Sequence, residues 1–213
     1  MKITINRLLL LPISFTIILI VFRGFYSGSL MYLFFVWNLF LAIIPFRLSS
    51  LLLQKQNINL HWFIFLSWIL FFPNALYIIT DFVHLKERNN VPLWFDVILI
   101  FSAAVNGLLM AFISLYQVEL FLRSKFTDKK TQVLLAVCLF ISSFGVYIGR
   151  FLRWNSWDIF LNPFQFTLEI IQPFMNPFQH LRTWGITVIF FLFFSSIYFM
   201  IKKLPGLIIE PGK

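Results

Sequence analysis

The chain has 213 residues, 60% hydrophobic, 20% aromatic and 12% charged, with a mean hydropathy of +0.88. Soluble domains are about 45–50% apolar and about 25% charged, so this composition excludes a soluble globular protein, a disordered chain and a coiled coil, and the lone Cys138 excludes a disulfide scaffold. The net charge of +9 would point to nucleic acid in a soluble protein, but here the basic residues punctuate apolar runs, where they set topology, and no nucleic-acid partner is expected.

A helix needs about 20 apolar residues to cross the hydrocarbon core. Six segments are predicted to do so: Leu8–Phe22, Ser29–Phe46, Trp62–Thr80, Leu93–Gln117, Gln132–Gly149 and Thr183–Ile201. The first is short, so its ends must snorkel or the bilayer must thin. It has Lys2 and Arg7 ahead of its apolar run, as a signal peptide would. The following Gly24–Gly28 stretch lacks an A-x-A-like cleavage site, and the segment reads as a retained anchor. Residues 1–213 are expected to form a single membrane domain with no separate soluble one. Counting Lys and Arg with the N-terminus inside puts eleven on the inner side and six on the outer. Both termini are therefore expected in the cytoplasm.

Before the last span, Asn162-Pro163-Phe164-Gln165 recurs as Asn176-Pro177-Phe178-Gln179. Asn suits a cap and Pro the first helical position, so each copy predicts a helix start. Phe166–Met175 is too short to span and reads as an interfacial or re-entrant helix ending near Pro173.

Polar residues gather at the predicted outer ends. In the third span, Asn74, Tyr77, Asp81 and His84 have offsets of 0, 3, 7 and 10, which at about 100° per residue fall in one stripe. Pro73 frees a carbonyl one turn earlier and can kink the helix beside Asn74. The stripe reads either as a polar recess or as a kinked packing helix whose Asn satisfies the freed backbone. Asp81 and His84, one turn apart, suit a base with its orienting carboxylate or part of a metal site. The alternatives are a capping Asp at a helix end and a solvated interfacial histidine. Asp96 and Asp158 are further acid–base candidates, and His180 a further ligand if a metal is bound. No paired-His or CxxC motif singles out a metal, and the residues name no cofactor.

After the fifth span, Arg150, Arg153 and Trp157 share a helical face beside Asn155 and Asp158. Arginine presents a planar fork for carboxylate or phosphate, and tryptophan favours the interface. These residues either pair with Asp81, Asp96 or Asp158 to hold helix ends together, or grip an anionic lipid-like or phosphate-bearing ligand. Asn38 and Pro45 can join the recess or serve as interhelical glue and a kink. Asn106-Gly107 reads as close packing with an interhelical hydrogen bond.

The string from Phe71 to Leu85, Phe-Phe-Pro-Asn-Ala-Leu-Tyr-Ile-Ile-Thr-Asp-Phe-Val-His-Leu, resembles the signature of a bacterial family of membrane proteins, domain of unknown function 1361. Gly149–Asp158 is similar to its second signature, and Trp37-Asn38-Leu39 and Trp94-Phe95-Asp96 fit the same pattern. The resemblance runs from the second span to the sixth. It implies an all-α, polytopic protein of the bacterial cytoplasmic membrane, and it carries no activity.

Three functions fit. The first is a membrane-embedded enzyme or binding protein near the outer leaflet. There Asp81, His84, Asp96 and Asp158 would supply chemistry, and Asn74, Tyr77, Arg150, Arg153, Asn155 and Trp157 would bind substrate. The second is a transporter or permease-like protein, and the third a scaffold or accessory subunit. The lipid bilayer is the one partner common to all three.

Overall fold

The computed structural model describes residues 5–55, 57–86, 91–154 and 161–209. Among them the chain is predominantly helical: α1 Ile5–Ser27, α2 Phe34–Leu52, α3 Ile58–Tyr77, α4 Leu93–Arg123, α5 Asp128–Tyr147, α6 Pro163–Met175 and α7 Leu181–Ile209. Short 3-10 segments precede α2 at Met31–Leu33, continue α3 over Ile78–His84, and lead into α7 over Pro177–His180. A π-helical turn, Ile148–Leu152, ends α5. Six segments are long and apolar enough to cross a membrane. This is an all-α, multi-pass membrane fold.

The first span differs most from expectation. It runs over Arg7–Ser27 instead of stopping before Arg23, so the length mismatch disappears. Arg23 is tolerated inside the helix because it is buried against a carboxylate from α4. The short helix before the last span is present as α6, whose 13 residues reach about 20 Å, well short of the roughly 30 Å hydrocarbon core. Pro163 and Pro177 occupy first-turn positions as expected. Neither Asn162 nor Asn176 caps with its side chain. A first-turn proline has no N–H to satisfy, and the asparagine backbone carbonyls accept the first bonds instead, from Phe166 N and Gln179 N.

Chain contacts divide the molecule into two compact units, Met1–Phe121 and Leu122–Lys213. In the first, α2 and α3 form an antiparallel hairpin. The Asn57 side chain caps α3 by accepting from Leu60 N at 2.8 Å. Phe35, Leu39 and Ala42 of α2 are buried, as are Trp68, Phe72 and Leu76 of α3 and Leu99, Ala103, Met110, Ala111 and Leu115 of α4. Polar residues of α4 then tie it to each neighbour. Asn106 donates to the Pro12 carbonyl and to Thr16 Oγ1 of α1, both at 2.9 Å, and Thr16 donates to Ser102. Ser114 accepts from Trp68 Nε1 of α3 at 2.7 Å and donates to the Pro45 carbonyl of α2 at 3.0 Å. Ser49 of α2 donates to Gln117. With no hydrophobic drive between helices in lipid, such bonds and close packing hold a bundle together.

Gly107 supplies the close packing. A Cβ there would lie 2.8 Å from the Ala75 carbonyl oxygen and 2.9 Å from Ile78 Cδ1. α4 therefore touches the backbone of α3 at the point where it passes into its 3-10 continuation.

In the second unit, α5 packs along α7 through aromatic rings. Phe140 and Phe144 stack on Trp184, and Phe174 meets Trp184 edge-on with centroids 4.9 Å apart. α6 is held at one face, where Phe166 joins Phe144 and Ile148 of the α5 end and Ile170 packs against them. Trp184 Nε1 donates to the Pro173 carbonyl at 3.1 Å.

Candidate functional site

The up-and-down order of the first unit brings the C-terminal ends of α1 and α3 and the N-terminal ends of α2 and α4 to one end of the helices. Two buried carboxylates lie there, Asp81 and Asp96.

Asp81 sits in the 3-10 continuation of α3. With 3.0 residues per turn, residues three apart eclipse each other, so His84 stands directly over Asp81. The uniform α-helical stripe expected from Asn74 to His84 thus changes pitch after Tyr77. Asn74 and Tyr77 remain on the α-helical part, half-buried, and each is engaged within the fold. Asp81 Oδ2 accepts from Asn38 Nδ2 of α2 at 2.8 Å, and Oδ1 lies 3.9 Å from His84 Nε2. The carboxylate is buried, whereas the His84 side chain is 38% exposed. Phe34 covers the imidazole with ring centroids 5.1 Å apart. The outcome is a shielded carboxyl group beneath an accessible imidazole.

Asp96 has different company. Arg23 Nε donates to Oδ1 at 2.7 Å and Nη2 to Oδ2 at 3.0 Å, and Tyr32 Oη donates to Oδ2 at 3.1 Å. The guanidinium also lies 3.9 Å from the Tyr32 ring centroid. Such a two-pronged, charge-assisted pair is the strong form of this contact. It places Asp96 in a closed clamp between α1, α4 and the start of α2. The arginine that meets Asp96 is therefore Arg23, just beyond the expected end of the first span, and not Arg150 or Arg153. One signal could have found it: the first span was too short unless Arg23 lay inside it, and an intramembrane arginine needs an acid partner. Tyr32 was not anticipated. Asn38, read from sequence as part of the recess or as interhelical glue, makes an interhelical hydrogen bond to Asp81. Two apolar recesses of about 220 and 260 Å³ open on either flank of α1 at Arg23, one beside Gly24 and Tyr32 and the other beside Tyr26 and Trp94.

The basic residues of the second unit lie where α5 ends. Arg150 falls inside the π-helical turn, half-buried and engaged within the fold. Arg153 follows it with a left-handed backbone, φ +61°, and an exposed side chain. Trp154 then donates Nε1–H to Glu169 of α6 at 2.7 Å. The Arg182 guanidinium lies 5.4 Å from the Phe151 ring centroid. His180 ends the 3-10 segment before α7. Asn155, Trp157 and Asp158 lie outside the described residues. Among the described residues no three His, Cys, Asp or Glu side chains are grouped closely enough to hold a metal ion, and Asp81 with His84 makes a pair.

Residues 37–198 match the family described as Protein of unknown function (DUF1361), a match over well more than half of the chain. No curated protein and no solved structure matches the chain.

Proposed function

The chain belongs to that DUF1361 family, whose description carries no activity, and we propose from its own residues an acid–base site at the membrane surface for an anionic, lipid-like substrate. One observation carries the reading: a buried carboxylate, Asp81, lies beneath a partly exposed imidazole, His84, and is fixed by the Asn38 amide. A general base needs a titratable group within reach of substrate and a second group that orients it and stabilises its charged form. His84 is the accessible group and exchanges the proton. Asp81 stays anionic and steadies the imidazolium. Asn38 is the positioning residue, aiming the carboxylate from α2.

In this reading Asp96 serves the clamp with Arg23 and keeps the helix ends in register, while Asn74 and Tyr77 line the approach to Asp81. In the second unit, Arg150 and Arg153 are taken by themselves as a candidate hold for an anionic group, as guanidinium forks are for phosphate. By charge distribution and span count the site faces outward from a bacterial cytoplasmic membrane, with both termini in the cytoplasm. The transporter reading is less favoured. Within the first unit the polar clusters along α4 are separated by Leu99, Ala103, Met110 and Ala111, all buried, where a permeation path would be expected to stay polar.

The test compares lipid extracts and small metabolites of cell membranes carrying wild-type protein, His84→Gln or Asp81→Asn at matched, inserted levels. Wild type is expected to change the abundance of a lipid or lipid precursor, and both variants to abolish that change while retaining wild-type thermal unfolding. Variants that change composition as wild type does, or a wild type that changes nothing, would remove the proposal.

A further inference from the structure

α6 presents two apolar sides. Phe166, Ile170 and Pro173 face α5 and Trp184. The other side carries Phe164, Leu168, Ile171 and Met175, at spacings of four, three and four residues. These form one helical stripe, and all four are exposed, Phe164 to 79%. Gln165, Glu169 and Gln172 occupy the flank between the two. Further along the chain Phe178 and Leu181 are exposed, as are Ile189 and Leu192 of the span α7, whose apolar surface lipid must cover. Cations border it. Arg182 is exposed and held over the Phe151 ring, and Arg153 is exposed at the end of α5. The nearby acid, Glu169, is occupied by Trp154 Nε1 and Gln165 Nε2.

We propose that α6 lies in the plane of the leaflet as a docking surface for anionic phospholipid, with its Phe164–Met175 stripe among the acyl chains and Arg182 on a lipid phosphate. Two observations select lipid as the occupant: the stripe is followed within six residues of chain by exposed apolar side chains that begin the span α7, which lipid must cover, and the exposed guanidinium groups of Arg153 and Arg182 stand at the neighbouring helix ends. Helices of this design bind by apolar insertion together with attraction to anionic head groups. The Phe151 ring holds the guanidinium by cation–π attraction, ready for a phosphate. This inference does not depend on proton transfer at His84.

The experiment uses the full chain with Cys138 replaced by Ala, in nanodiscs of phosphatidylcholine with or without phosphatidylglycerol. Spin labels are placed singly at residues 164, 168 and 171, and at 165 and 172. The first three are expected to relax with oxygen, and the last two with a water-soluble nickel chelate. Stripe labels reached by the chelate, or by neither reagent, overturn the docking, since the stripe would then face water or protein. Phosphatidylglycerol retention by purified protein is the second readout. Arg182→Gln is expected to lower it roughly fivefold, the effect of one basic residue near an anionic surface, while Arg182→Lys keeps most of it. Equal retention in Arg182→Gln and wild type would overturn the head-group contact even with α6 in lipid.

Discussion

The two halves of this protein solve the same problem with different chemistry. In the first unit, side-chain hydroxyls, amides and charges reach from one helix to another: Thr16 to Ser102, Asn106 to Pro12, Ser49 to Gln117, Asn38 to Asp81, Arg23 to Asp96. In the second, Ser142, Ser143 and Thr187 turn back to carbonyls of their own helices, and the helices are joined chiefly by ring contacts of Phe140, Phe144, Phe174 and Trp184, with the indole bonds of Trp154 to Glu169 and of Trp184 to Pro173 as directional additions. Directional bonds specify register and leave expensive orphans if broken. Ring contacts accept more than one geometry at little cost. The carboxylate–imidazole pair is in the half where register is specified.

The largest effect should come from the clamp. Asp96→Ala strands a buried guanidinium, and removal of one partner of such a pair costs about 3–5 kcal/mol. Thermal unfolding in detergent should register that loss. The paired change Arg23→Met with Asp96→Leu should restore stability to about the wild-type level or above, since apolar replacements of buried pairs are often neutral. An Asp96→Ala protein that unfolds with wild type would show that charge does not hold the first unit.

Gly107→Ala comes next. The added methyl meets a backbone carbonyl that cannot rotate away, and overpacking of this kind costs about 1–3 kcal/mol. Unfolding in denaturing detergent measures it, and a neutral result would mean that α4 can move away from Ala75. A last pair of substitutions compares the two chemistries directly. Phe144→Leu loses ring contacts to Tyr147, Phe174 and Trp184, at about 0.5–1.5 kcal/mol per aromatic pair. Asn106→Leu loses interhelical bonds that average about 0.6 kcal/mol in membrane proteins. Phe144→Leu should therefore unfold at the lower temperature, and the reverse order would show that single polar bonds outweigh rings even away from charge.

The spans were legible because about 20 apolar residues is a physical requirement of the bilayer, and the helix before the last span because Asn-Pro marks its start. Asp81 and His84 were legible as a pair because three residues bring side chains together in either an α- or a 3-10 helix. The change of pitch at Ile78 was not, and it lies where α4 approaches α3 at Gly107, a tertiary contact that no local pattern displays. Arg23 was hidden by a rule that usually works: an arginine closing an apolar run is read as its boundary. Its partner lies 73 residues away, and no local pattern links the two.

Arg153 bears on how the second unit can be probed. A left-handed backbone costs a side-chain-bearing residue about 1–2 kcal/mol, which glycine avoids. Replacing this arginine with alanine removes the guanidinium but keeps the strained turn, whereas glycine removes both and relaxes the chain. The two substitutions therefore separate shape from charge at one position: alanine reports on what the guanidinium binds, and glycine, compared with alanine, reports the energy stored in the bend after α5.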